Sequence, residues 1–232
     1  MMLSYGPRPF RDRHEAGKRL AVRLVQYRNR PDVLVMAIPR GGVPVAYEVA
    51  TALAAPLDVL VVRKLGLPAQ PELAMGAIAS GGVRVLNPDL MHALRIPDRI
   101  IDSVVAREIV ELERRELMYR GDWPGVDPSG LTVILVDDGL ATGSSMRAAI
   151  AALRARGAAS VVVAVPVGPP STCREITRLA DDFVCPNQPA SLVAVGEWYE
   201  DFSQTTDEEV RELLGRSRAT RAAVVRPASG VG

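Results

Sequence analysis

The chain predicts an α/β protein with a mainly parallel central sheet flanked by helices. Three observations carry this. Short aliphatic runs rich in β-branched residues recur at Val33–Ile38, Leu57–Val62, Val133–Val136 and Ser160–Val167, and their near-continuous apolar character fits strands covered on both faces. Helical stretches alternate with these runs, the order of βαβ units. Arg40, Arg63 and Asp137–Asp138 all fall at predicted strand C-termini, the edge where open α/β sheets bind ligands.

Taken in order, Phe10–Tyr27 reads as an amphipathic helix, with Ala16, Leu20, Leu24 and Tyr27 at helical spacing and Arg13, Lys18 and Arg19 around the rest of the cylinder. Asn29-Arg30-Pro31 ends it. The strand Val33–Ile38 runs into Pro39-Arg40-Gly41-Gly42, and Val43–Leu53 follows as a helix with Pro44 in its first turn. After the strand Leu57–Val62 come Arg63 and Lys64. Leu65–Leu73 is read as a loop because it holds Gly66, Pro68 and Pro71. Ala74–Ala79 and Val83–Leu86 flank Ser80-Gly81-Gly82 as a β-hairpin.

Pro97–Arg120 is a long helix with an apolar stripe through Ile101, Val104, Val105 and Leu112, and its Glu/Arg mixture from Arg107 to Glu116 reads as a solvated face. Gly121–Gly130 is a connecting loop. The strand Val133–Val136 is followed by Asp137-Asp138, a small-residue loop over Gly139–Ser145 and an alanine-rich helix over Met146–Ala155. Ser160–Val167, Ser171–Ala180 and Phe183–Cys185 continue as strand, helix and strand. Pro186–Phe202 concentrates Trp198, Tyr199 and Phe202, either a patch that anchors the C-terminal segment or a wall for a planar ring. Thr206 caps a final helix to Leu214, with Glu209 in the capping-box position, and Gly215–Gly232 is an Arg/Ala/Gly-rich tail.

The chemistry concentrates in Val133–Ser145. A strand, a small-residue loop and a helix build an anion site, because N–H groups of the loop and first helical turn lack intrahelical partners and the helix dipole adds positive charge. Gly143 admits a close ligand, and Thr142, Ser144 and Ser145 add hydroxyl donors. Asp137 and Asp138 repel a phosphate and suit hydroxyls or a hydrated cation. An Asp-Asp-Gly alone is equally explained as a strand end and turn. The loop at Arg40 repeats the design with a permanent cation whose donor fork suits phosphate, although a turn with a solvated arginine gives the same residues. Arg63 and Lys64 are either solvated strand-end charges or cations for a leaving group.

Composition narrows the function. The 232 residues suffice for one large domain, 48% hydrophobic and 24% charged, with a formal net charge of +1 that supplies no global attraction to nucleic acid or an anionic membrane. Two cysteines without a Cys-x-x-Cys point to a reducing cytoplasm. The N-terminal residues hold no apolar signal core, and no run of about 18 apolar residues is available to span a membrane. With His14 and His92 as the only histidines, a Ser-His-Asp triad or a histidine metal site is disfavoured. No Walker A or dinucleotide fingerprint occurs.

VILVDDGLATGSS closely resembles the phosphoribosyl pyrophosphate (PRPP) binding motif of type I phosphoribosyltransferases, and the likeness spans roughly Phe10–Leu214. The resemblance implies that fold, with residues 1–214 as the domain, a small hood subdomain drawn from the chain ends including residues 186–205, and 215–232 as a C-terminal tail. It implies that Asp137 and Asp138 hold the ribose hydroxyls and contact Mg²⁺ indirectly. Ala141, Thr142, Gly143, Ser144 and Ser145 would grip the 5-phosphate. Arg40, Gly41 and Gly42, with Arg63 and Lys64, would hold pyrophosphate, in a loop where this family often has a strained or cis peptide. A mobile loop after Lys64 would close over the site, and Trp198 and Tyr199 would meet the base.

The implied reaction is nucleotide-salvage chemistry: a nitrogen acceptor, such as a nucleobase, displaces pyrophosphate at C1 through an oxocarbenium-like transition state. The 6-oxopurine enzymes commonly carry an acidic residue where this chain has Ala141, so the base stays unnamed. A non-catalytic PRPP or nucleotide sensor, and transfer to water or another non-nucleobase acceptor, remain alternatives. The expected state is a cytoplasmic homodimer, with Gly121–Gly130 and the tail as candidate contacts.

Overall fold

The computed structural model describes residues 9–68 and 70–225. Helix α1, Arg13–Ala21, starts at the Asp12 cap, whose carboxylate accepts the Glu15 N–H, and passes into a 3-10 helix over Val22–Tyr27. It starts later than the sequence pattern predicts because Phe10 is drawn into a bridge with Tyr199. The chain continues through β1 (Val33–Ala37), α2 (Gly42–Leu53) and β2 (Leu57–Val59). Three further strands follow, β3 (Val62–Leu67), β4 (Gln70–Ala79) and β5 (Val83–Leu86), then helices α3 (Pro88–Ala93) and α4 (Asp98–Arg120). The second half comprises β6 (Thr132–Val136), α5 (Ser144–Ala155), β7 (Ser160–Ala164), α6 (Pro170–Thr177), β8 (Asp182–Val184) and α7 (Asp207–Val225).

Five strands form a wholly parallel sheet in the order β2-β1-β6-β7-β8. Its strands alternate between two cores. Val33, Val35, Ala37, Ile134 and Val136 pack with α2, α4 and α7. Leu34, Met36, Val133 and Leu135 pack with Met146, Ile150 and Leu153 of α5 and Cys173 and Ile176 of α6. Both faces are therefore dry, which explains the unbroken apolar runs. The parallel α/β architecture is the one the sequence pattern predicts.

Several local expectations change. Leu57–Val62 is not one strand: β2 ends at Val59 and β3 begins at Val62 in a second, antiparallel sheet, β3-β4-β5. The predicted loop Leu65–Leu73 is mostly strand, with a turn at Pro68. Its Gly and Pro residues mark irregularities within the ladder. Register shifts flank Gly66, and Pro71 lies in the part of β4 beyond its pairing with β5, where a missing N–H is tolerated. The hairpin after Ala79 turns through the three residues Ser80, Gly81 and Gly82, since Ala79 pairs with Val83, and both glycines adopt the positive φ such a turn favours. The antiparallel sheet packs against α4 and α5.

The charged face of α4 is not wholly solvated. Glu108 is buried and accepts from Arg63, and Arg120 at the helix end donates to the buried Asp58 carboxylate and the Val59 carbonyl. Asp58 also accepts the Val126 N–H, which ties the loop after α4 to β2. Thr206 caps the last helix as expected, but the helix runs on to Val225, past the predicted boundary at Leu214. Residues 226–232 of the expected tail lie outside the described residues. No described helix is long and apolar enough to cross a membrane.

Candidate active site

Strand order reverses between β1 and β6, so the loops after these two strands leave a crevice at their C-terminal ends. The loop after β1 is Ile38–Gly41 and the loop after β6 is Asp137–Gly143. The Ile38 N–H donates to the Val136 carbonyl at 2.9 Å, which carries the ladder one residue past β1. The peptide between Pro39 and Arg40 is cis. Gly41 and Gly42 are needed for space. A Cβ on Gly41 would overlap the Asp138 carboxylate, and one on Gly42 would lie 2.8 Å from the Val136 carbonyl oxygen. The sequence places the two loops separately; the sheet presses them together.

Asp137 Oδ1 accepts the Asp138 N–H at 2.9 Å. Burial, and then the Asp138 charge, raise the Asp137 carboxyl well above the ordinary carboxylate range. Burial also raises Asp138, against the opposing pull of Arg13. Arg13 Nε donates to Asp138 Oδ2 at 2.8 Å, Arg13 Nη1 donates to the Ser203 carbonyl at 2.7 Å, and the guanidinium lies 3.9 Å from the Phe202 ring centre. Sequence reasoning left Arg13 on the outside of the first helix. Its helical position was legible, but its partner stands 125 residues away.

Past the carboxylates, Leu140 is buried and its N–H donates to the Val167 carbonyl. The turn then opens outward at Ala141 and Thr142. Gly143 adopts φ +74° at the start of α5, a conformation that favours glycine. Thr172 of α6 donates to the Ala141 carbonyl at 3.0 Å and braces the turn. Thr142 Oγ1 and Ser144 Oγ lie 3.1 Å apart, and the first N–H groups of α5 have no intrahelical acceptors. The geometry suits an oxyanion at Thr142–Ser145 with hydroxyls of the same ligand turned toward Asp137–Asp138.

The cations expected at the pyrophosphate end are dispersed. Arg40 is partly exposed, and its Nη1 lies 3.7 Å from Asp207 at the start of α7. Arg63 is engaged by Glu108 at 2.6 Å, which holds its guanidinium against α4. Lys64, next along β3, shares a hollow with Ser144 and Arg147 of α5. Alternation along a strand sends adjacent side chains to opposite faces, and Arg63 and Lys64 nevertheless both border a second hollow with Arg107 and Glu108. Arg147 donates to the Thr142 carbonyl, to Ser144 Oγ and to Glu175, a part in the turn before α5 that no sequence feature announced.

The segment expected as a hood, near residues 198–201, pairs with residues 10–11. The Phe10 N–H donates to the Trp198 carbonyl, and the Glu200 and Asp201 N–H groups donate to the Phe10 and Arg11 carbonyls. Tyr199 corrects the expectation of a base platform. It is 6% exposed, its ring packs against Phe10 and Phe202, and its hydroxyl donates to the Asp138 carbonyl at 2.6 Å. Tyr199 therefore props the acidic turn from beneath. Trp198 is only half-buried.

A parallel sheet with an acidic pair and a small-residue turn at its switch point has the form of an α/β protein whose ligand lies beyond the strand ends. Comparison with known proteins gives the family. The phosphoribosyl transferase domain family matches residues 11–199, and the chain belongs to that family. It is 47% identical over 208 residues to Rv0571c of Mycobacterium tuberculosis H37Rv, a protein provisionally named a phosphoribosyl transferase, and likewise to MT0597 of strain CDC 1551. That match covers 90% of this chain and 47% of each relative, so the chain spans about half the length of these curated relatives. The crystal structure of TT1426 from Thermus thermophilus is similar with a TM-score of 0.79 at 42% identity, covering 89% of this chain and 97% of that one.

Proposed function

We propose that the chain transfers ribose 5-phosphate from PRPP to a nitrogen acceptor, with a nucleobase as the first candidate, and releases pyrophosphate. The observation that carries this reading is the contact of two loops at one switch point: Arg40-Gly41-Gly42 after β1 closes on Asp137–Asp138 after β6, directly before the open turn at Gly143. In this reading Thr142–Ser145 hold the 5-phosphate, Asp137 and Asp138 the ribose hydroxyls, and Arg40 with the glycine backbone the pyrophosphate. Positive charge develops on the sugar beside the carboxylates. Negative charge grows on the leaving group, where Arg40 binds it more strongly as the bond breaks.

Among the described residues no group of three or more His, Cys, Asp or Glu side chains is placed to hold a metal by itself. Two adjacent carboxylates still fit Mg²⁺, which commonly keeps waters and substrate oxygens and takes one or two carboxylates from the protein. Asp137 and Asp138 would hold it through water or the ribose hydroxyls, and bound Mg²⁺ would neutralise pyrophosphate charge.

The engagement of Arg63 by Glu108 favours one other reading, a PRPP or nucleotide sensor without turnover. Calorimetric titration with PRPP and Mg²⁺, followed by pyrophosphate release across a panel of nucleobases, separates the two. Base-dependent release supports the transferase, binding without release supports the sensor, and absence of binding overturns both.

A further inference from the structure

The antiparallel sheet and α5 enclose a hollow of about 340 Å³ beside the oxyanion turn. Lys64 of β3, Asn87 after β5, and Ser144 and Arg147 of α5 supply its polar lining, while Gly76 and Val85 form part of its floor. No described carboxylate lines it. Arg147 is already oriented: Nη1 donates to the Thr142 carbonyl and to Glu175, and Nη2 donates to Ser144 Oγ. A guanidinium has five N–H donors, so Nε–H and one Nη2–H remain without a protein acceptor among the described residues. Asn87 is oriented too. Its Oδ1 accepts the Leu90 N–H at 3.1 Å, which leaves the amide NH₂ free to donate. Two cations and an amide donor from three separate elements thus face one cavity.

We propose that this hollow binds a second phosphate group, beside the 5-phosphate turn and meeting it at Ser144, with Lys64 and Arg147 as its cations and Asn87 as its neutral donor. A phosphate suits the lining better than a carboxylate, because its additional oxygens can meet donors converging from separate elements. Lys64, which also borders a neighbouring hollow with Arg63 and Glu108, acts here next to Ser144. The phosphate belongs either to the acceptor or to a free effector. The subsite rests on its own geometry; only the choice between these sources rests on the transferase reading.

The test is calorimetry with inorganic phosphate on the whole chain, for the wild type, Lys64→Met and Asn87→Ala, and for Ser145→Ala to weaken the neighbouring turn. Lys64 and Asn87 are exposed, so their variants retain the fold. Two phosphates are expected on the wild type. One should weaken about tenfold or more in Lys64→Met and Asn87→Ala, from the loss of a hydrogen bond to a charged group, and should survive in Ser145→Ala. Wild-type stoichiometry and affinity in both Lys64→Met and Asn87→Ala overturn the proposal, whether or not PRPP binds. Where transfer is observed, a KM rise in Lys64→Met confined to phosphate-bearing acceptors assigns the subsite to the acceptor. Loss of a phosphate effect on rate at constant acceptor KM assigns it to a free effector.

Discussion

Arg13 Nε stands 2.8 Å from Asp138 Oδ2, and the two side chains are 11% and 17% exposed. This ion pair joins the first helix to the end of β6, and through Ser203 and Phe202 it also joins both to the hood segment. The acidic turn is thus held from outside the sheet by a residue from the opposite end of the chain.

Removing Arg13 leaves a largely buried carboxylate without its counter-ion. Arg13→Ala is expected to lose about 3 kcal/mol of stability in chemical denaturation. Arg13→Lys keeps the charge but loses the flat stack on Phe202, and should fall between that variant and the wild type. A loss of under about 0.5 kcal/mol in Arg13→Ala, the range of an ordinary surface substitution, would show that the pair does not support the fold.

Asp137 carries the opposite consequence. Its carboxyl titrates well above the unfolded value of about 3.9, so across the intervening pH range the folded chain retains a proton that the unfolded chain releases. Stability from this group therefore falls as pH rises from about 4 to the folded value, then stays level. Asp137→Asn keeps the Oδ1 acceptor for the Asp138 N–H and removes the charge. Thermal unfolding should show the variant more stable than wild type above that window, with the gain vanishing near pH 4. The same variant should bind PRPP and Mg²⁺ more weakly, so a rise in melting temperature with unchanged binding would remove Asp137 from the site.

Arg40 separates function from stability. Its contact with Asp207 is long and partly exposed, worth about 0–1 kcal/mol. Arg40→Ala should slow turnover about a hundredfold, the scale of a lost charge-stabilising donor, while the denaturation midpoint barely moves. A drop in stability with normal turnover would make Arg40 structural.

The hood aromatics divide in the same way. Tyr199→Phe removes the donor to the Asp138 carbonyl and should destabilise the chain by about 1 kcal/mol without changing acceptor KM. Trp198→Ala should raise acceptor KM if the half-buried indole meets the acceptor. Steady-state kinetics on both variants, beside their unfolding curves, check the division.

Strand identity was legible because a strand buried on both faces must be apolar throughout, and Val33–Ala37 and Thr132–Val136 are largely so. The turn before α5 was legible because Gly143 and the small residues beside it favour a turn into a helix. Leu65–Leu73 was misread because Gly66, Pro68 and Pro71 carry the same local signal in a loop and in an irregular ladder. Only the partner strand distinguishes them.

The sequence by itself determined the parallel α/β class, the acidic pair, the small-residue turn before α5 and the glycines at 41 and 42, because each depends on contiguous residues and backbone chemistry. Tertiary structure decided which charges meet. It gave Asp138 to Arg13 and Arg63 to Glu108, set Lys64 between two hollows, and turned Tyr199 inward. These outcomes depend on strand order, on which face each side chain takes, and on the return of the C-terminal segment to Phe10. Such long-range juxtapositions leave no local trace in the chain.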